Sequence, residues 1–76
     1  MITVKLYGLL RIESGIKEKQ LEASTVKEVL QILEDHGLAH KDVYGCVILV
    51  NGKSPDKRSK LTDGDTVVLM SPVAGG

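Results

Sequence analysis

Apolar and polar residues alternate strictly at the start of the chain, where Thr3, Lys5 and Tyr7 interleave with Ile2, Val4 and Leu6. A period of two predicts a strand with one buried face. Gly8 and Gly15 then bracket Leu9, Leu10, Arg11 and Ile12, and residues 16–23 carry a weaker, charge-rich strand signal. The simplest expectation is a hairpin whose second strand lies at a sheet edge, because charged side chains suit an unpaired edge. Thr25 followed by Glu28 has the spacing of a capping box, in which the threonine oxygen accepts from the third helical amide and the glutamate reaches back to the cap amide. Val26, Val29, Leu30 and Leu33 repeat at i, i+3, i+4 and i+7 and so share one stripe. Gly37 supplies a left-handed stop, and Leu38 beyond it can fold back on Leu33 in a Schellman-type ending. The pattern predicts one amphipathic helix over 26–36.

Residues 47–50 are an unbroken apolar run between Gly45 and the turn pair Asn51-Gly52, which predicts a well-buried strand ending in a tight turn. Residues 53–61 read as irregular. Asp63-Gly64-Asp65 is a second turn signal, and residues 66–70 follow as a final strand of β-branched and long apolar side chains. Pro72 cannot donate to a ladder, so pairing is expected to end near Ser71. This divides the chain into one domain over 1–72 and a projecting tail over 73–76.

The order strand, strand, helix, strand, strand is an α+β arrangement with one principal helix packed on one face of a mixed sheet. Where the first and last strands lie side by side in parallel, the helix becomes part of a long crossover connection. That is the β-grasp, or ubiquitin-like, architecture, although other small α+β sheets share the same element string. The positions in phase with a single helix-on-sheet layer are Ile2, Val4, Leu6, Val26, Val29, Leu30, Leu33, Ile48, Val50, Val67 and Leu69. The pleat turns Val68 and Met70 to the other face, beside Tyr7, as an expected apolar partner surface.

Composition narrows the function classes. A chain of 76 residues supports one small core and leaves little material for a deep pocket, which needs walls around about 300 Å³ or more. Ten Lys and Arg residues balance ten Asp and Glu residues, and Tyr7 and Tyr44 are the only aromatics. Neither the basic field nor the stacking platforms of a nucleic-acid binder are present. Lys53, Lys57, Arg58 and Lys60 cluster, but without a glycine-rich loop or aromatic they read as a solvated loop. The single cysteine excludes an internal disulfide, no secretory signal is visible, and no apolar run reaches the roughly 20 residues of a membrane span. A soluble cytoplasmic protein that contacts neither membrane nor nucleic acid is expected.

The familiar catalytic constellations are missing: there is no C-x-x-C, H-E-x-x-H or phosphate-loop pattern. His36 and His40 stand four apart, but Gly37 breaks the helix between them, so no metal pair is expected. Cys46 opens an apolar strand with no adjacent base and reads as a small packing group. What remains is the terminus. With glycine near 7% of residues, a random chain would end Gly-Gly about one time in 200. Here the pair directly follows an apolar strand and a Pro-Val-Ala segment. Two residues without Cβ atoms can thread a narrow channel and present their carboxylate for activation, for example as an acyl adenylate.

Residues 64–76 read Gly-Asp-Thr-Val-Val-Leu-Met-Ser-Pro-Val-Ala-Gly-Gly. This ending resembles that of molybdopterin synthase small subunits, where a Gly-Asp turn leads through an apolar strand to Pro-Val-x-Gly-Gly. Val50-Asn51-Gly52 and Leu10-Arg11 also match that family, as does the overall length. The resemblance implies a ubiquitin-like sulfur carrier that binds no cofactor and is not itself an enzyme. Gly76, preceded by Gly75, would be adenylylated by a ubiquitin-activating-type adenylyltransferase that uses ATP. A sulfur donor protein would complete its conversion to a thiocarboxylate, and the synthase large subunit would receive the tail to make molybdopterin. Tyr7, Val68, Met70, Pro72, Val73 and Ala74 would form the partner-binding surface. The competing expectations are a carrier for thiamine, cysteine or tRNA thiolation, a ubiquitin-like protein modifier, and a passive β-grasp interaction module.

Overall fold

A computed structural model describes residues 1–56 and 59–71. Lys57, Arg58 and the expected tail with Pro72 therefore lie outside the described residues. Seven elements run in the order β1 (Ile2–Tyr7), α1 (Leu9–Ser14), β2 (Glu18–Leu21), α2 (Val26–Asp35), α3 (His40–Tyr44), β3 (Val47–Val50) and β4 (Thr66–Met70). The sheet order is β2-β1-β4-β3. β1 and β4 pair in parallel at the centre, with Val4 opposite Val67 and Leu6 opposite Leu69, while β2 and β3 flank them antiparallel. This is the expected mixed α+β sheet, and it is a β-grasp, ubiquitin-like fold.

The helix stripe and the inward face of the sheet form one core. Val26, Val29, Leu30 and Leu33 of α2 pack in a single cluster with Ile2, Val4 and Leu6 of β1 and Val67 and Leu69 of β4. α2 starts where the threonine oxygen can satisfy an orphan amide: the Glu28 N–H donates to Thr25 Oγ1 at 3.2 Å. The return arm of the cap differs from expectation, since Glu28 Oε1 accepts from the Ser24 N–H at 3.0 Å, one residue before the cap. At the other end the Leu38 N–H donates to Leu33 O at 3.3 Å and the Gly37 N–H to Glu34 O at 2.9 Å. With Gly37 at φ 100 and Leu38 buried, the helix closes in the expected Schellman geometry.

Three expectations are corrected. β3 is an edge strand and not a well-buried one, so Ile48 and Val50 pack against the core only half-buried. An apolar run of four cannot distinguish a strand covered on both sides from one covered on a single side. The link from β1 to β2 is not a simple hairpin turn, because α1 occupies it and buries Leu10 beneath its outer residues. The core is also larger than the in-phase set. Leu21, Leu38, Val43 and Leu61 join it, and Val43 arrives on the short helix α3.

Asp65 closes the β3–β4 connection. Its carboxylate accepts from the Thr62 N–H at 2.8 Å and from Asn51 Nδ2 at 2.9 Å, while Asn51 Oδ1 accepts from the Thr66 N–H at 3.0 Å. Asn51 itself adopts φ 51, a left-handed value that asparagine tolerates well. The Thr62 backbone amide, followed by the Asn51 side-chain amide, holds the Asp65 carboxyl below its ordinary range.

Two outcomes follow from this packing. Leu30→Ala removes a fully buried side chain and is expected to cost about 2–5 kcal/mol in urea denaturation. A loss below about 1 kcal/mol would place Leu30 outside the core and undo the registration of α2. Because the Asp65 value is depressed on folding, its contribution is present above the unfolded-state pKa and is lost as pH falls through the folded one. Asp65→Ala should therefore lower Tm at neutral pH, with the gap to the parent closing as acid titrates the carboxylate below about pH 4. A gap independent of pH in thermal scans would show that charge has no part in this turn.

Candidate functional site

Strand alternation gives the sheet two unlike faces. One is the core face. On the other, the register aligns Tyr7 of β1, Met70 of β4 and Val47 of β3 in one row, with Lys5, Val68 and Leu49 in the next. Tyr7 and Val47 are 41% and 46% exposed, so this apolar surface is open to solvent. Tyr7, Val68 and Met70 are thus brought together as expected. Val47 and Leu49 belong to the same surface and were not foreseen. Their signal was present in the run Val47-Ile48-Leu49-Val50, whose alternate members must face opposite ways, but a strand assumed buried on both faces hides it.

This surface lies at the end of the sheet where β4 finishes. Of the five exposed large apolar side chains among the described residues, four stand on elements that reach this end: Tyr7 on β1, Leu9 and Ile12 on α1, and Val47 on β3. α1 packs against both β1 and β4. Polar groups frame the apolar rows, with Lys5 Nζ 3.9 Å from Glu18 Oε1 on one side and exposed Arg11 on α1. Farther along α1, a hydrogen bond with Asp42 raises the Glu13 carboxyl above its ordinary value.

The chain leaves β4 through Ser71, whose position is fixed from two directions. The Ser71 N–H donates to Tyr7 O at 3.5 Å, extending the parallel ladder by one residue. The Leu9 N–H donates to Ser71 Oγ at 2.7 Å, so a serine 62 positions away caps the first turn of α1. Gly8, the N-cap of that helix, has no side chain to do so. Pro72, Val73, Ala74, Gly75 and Gly76, expected to carry the partner contacts and the reactive carboxylate, lie beyond Ser71 and outside the described residues.

Other candidate groups take structural positions. The Cys46 thiol donates to Val43 O at 2.9 Å and its side chain packs against the core, in keeping with a packing role. His36 Nδ1 hydrogen-bonds Ile32 O at 2.8 Å, whereas His40 Nδ1 lies 3.1 Å from Glu34 Oε2 and its ring stacks on Tyr44. The two histidines therefore have separate partners. Among the described residues no group of three or more His, Cys, Asp or Glu is placed to hold a metal ion. No helix among them is long and apolar enough to cross a membrane. An open cleft of about 390 Å³ lies at the opposite end of the sheet, against Ile2 at the start of β1. Two of its three carboxylates are already engaged, Glu28 in capping α2 and Asp63 in an ion pair with the Met1 ammonium.

The architecture recurs in solved structures. SAMP1 from Haloferax volcanii superposes with a TM-score of 0.82 at 20% identity, covering 99% of this chain and 98% of that one. A chain in the Amycolatopsis orientalis BexX/CysO complex gives a TM-score of 0.76 at 22% identity over the full length of both. A chain in the complex of subunits 1 and 2 of molybdopterin-converting factor from Helicobacter pylori gives 0.72 at 26% identity, covering 99% of this chain and 97% of that one. No curated protein sequence matches the chain. The ThiS family model matches residues 4–76, and the chain belongs to that family, whose fold is that of the ubiquitin-like sulfur carriers.

Proposed function

We propose that this protein is a sulfur carrier whose working group is the carboxylate of Gly76, and that it serves molybdopterin biosynthesis as the small subunit of the synthase. The observation that carries the reading is the open apolar surface of Tyr7, Val47, Leu49, Val68 and Met70 at the root of a segment ending in Gly75-Gly76. Such a surface docks a partner, and the segment that follows it can then enter the partner's active site. The reaction divides between the two. A carboxylate oxygen of Gly76 attacks the α-phosphorus of ATP on a ubiquitin-activating-type enzyme and expels pyrophosphate. The terminal sulfur of a donor's persulfide next attacks the acyl carbon and expels AMP. A thiol then cleaves the remaining S–S bond and leaves the thiocarboxylate. Glycine suits this passage because no Cβ obstructs a narrow channel.

The pterin pathway is supported by the Pro72-Val73-Ala74-Gly75-Gly76 ending and by the likeness to a chain of the Helicobacter pylori complex. The catalytic groups would lie on the partners, with Pro72, Val73 and Ala74 contacting the large subunit and ATP bound by the activating enzyme. The unit over 1–72 would dock while 73–76 reacts, and a cytoplasmic location fits the thiol chemistry. A second reading is protein modification through the same carboxylate, favoured by the likeness to a small archaeal modifier protein. Both readings require activation of Gly76, and they part at the acceptor.

Deleting Gly76 is expected to abolish adenylylation in a pyrophosphate-exchange assay while leaving thermal stability within about 0.5 kcal/mol of the parent. The truncated chain should compete with the intact carrier for the activating enzyme, because the docking surface remains. Normal thiolation by the truncated protein in a reconstituted system would refute the terminal-carboxylate mechanism. Met70→Glu places a charge in the centre of the apolar rows and should weaken partner binding at least about tenfold in calorimetry with the fold intact. Unchanged affinity for every partner would remove this face from the docking step.

A further inference from the structure

Ser71 stands at a junction that the proposed carrier role does not by itself explain. One side-chain oxygen both closes the end of β4 and opens α1, through the 2.7 Å bond that it accepts from the Leu9 N–H. The backbone amide of the same residue is held by Tyr7 O. Gly8 completes the seat. Its φ of +69 lies in the region that disfavours side chains, and a Cβ built there would fall far inside contact distance of Ser71 Oγ. Gly8 follows the last residue of β1 and caps α1, so the oxygen has room only because that residue lacks a side chain.

We infer that Ser71 is a positioning residue for the terminal carboxylate: its hydroxyl, seated over Gly8 and bonded to Leu9, fixes the direction in which the chain departs from β4 toward Gly76. The inference rests on the carrier reading for its consequence but on the contacts of Ser71 for its geometry. Four residues, Pro72 to Gly75, separate Ser71 from Gly76, and all but the proline, whose ring fixes φ, carry two soft dihedrals. A rotation at the first of them moves the carboxylate through the largest arc. Fixing that first direction by contacts within the folded domain concentrates the carboxylate near the partner's reacting centre before binding. The docking surface supplies affinity, so loss of the Ser71 hydroxyl should act on turnover and not on docking.

Adenylylation kinetics with the activating enzyme test this directly. Ser71→Ala is expected to lower kcat about three- to tenfold, the range of one hydrogen bond's net contribution, with KM for the carrier within about twofold of the parent. Ser71→Thr, which keeps the hydroxyl, should retain the parent kcat. A second measurement needs no enzyme: a nitroxide attached through Gly76→Cys in a Cys46→Ala background broadens the amide signals it approaches. The broadened set should be confined to one side of the domain with Ser71 and spread around it with Ser71→Ala. Parent kcat and an unchanged broadening pattern in Ser71→Ala would overturn the inference. So would a Ser71→Thr variant that behaves as Ser71→Ala. Failure of the unmodified protein to be adenylylated would count against the Gly76 reading alone, and the broadening pattern would then decide the role of Ser71.

Discussion

The parallel ladder between β1 and β4 is the constraint on which the rest of the molecule depends. Two strands nearly a whole chain apart run side by side at the centre of the sheet, from Thr3 opposite Thr66 to Tyr7 opposite Met70. A parallel pair cannot be joined by a tight turn, so the intervening chain must cross over, and α2 uses that crossing to cover the inward face. The same ladder makes both strands finish at the same end. Tyr7, the start of α1 and the exit from β4 therefore meet, and the Ser71 contact to Leu9 becomes possible. Without the pairing there is neither a core nor a defined root for the terminal segment.

The two faces divide the labour. Inward residues of β1 and β4 are almost completely removed from water and hold the fold together with the α2 stripe. Outward residues of the same strands, one position along, make the apolar rows of Tyr7, Met70 and Val68. β3 adds Val47 and Leu49 because it is an edge strand whose outward face nothing within the described chain covers. A domain this small has few ways to build a concave active site, and its open cleft sits at the far end with two of its three acids occupied. On the proposed reading, an apolar sheet face beside a chemically simple Gly-Gly segment asks less of the fold than a pocket does.

Much of this was legible in the sequence because the signals were local. The alternation of Ile2, Val4 and Leu6 and the stripe from Val26 to Leu33 each fix an element within a few residues, and Gly37-Leu38 marks the end of α2 by its own chemistry. The short helices were not legible. α1 has six residues, one buried side chain and no capping side chain of its own, since the oxygen that caps it arrives from Ser71. α3 has five residues and an alanine at its N-cap, so Val43 gave no periodicity that could assign it to the core. The place of β3 at the edge was hidden for a different reason: strand order is set by pairing partners, and a run of four apolar residues carries no record of them. The apolar outward face was consequently half seen, through β1 and β4 but not through β3.

On the proposed reading, the folded domain presents the Gly76 carboxylate for activation and sulfur loading. The most direct measurement is the intact mass of the protein isolated from its own cells, with fragmentation to locate any change. Exchange of one oxygen for one sulfur, confined to Gly76, is the predicted result. A mass that stays unmodified under every growth condition, or a sulfur found at Cys46 and never at the terminus, would contradict it.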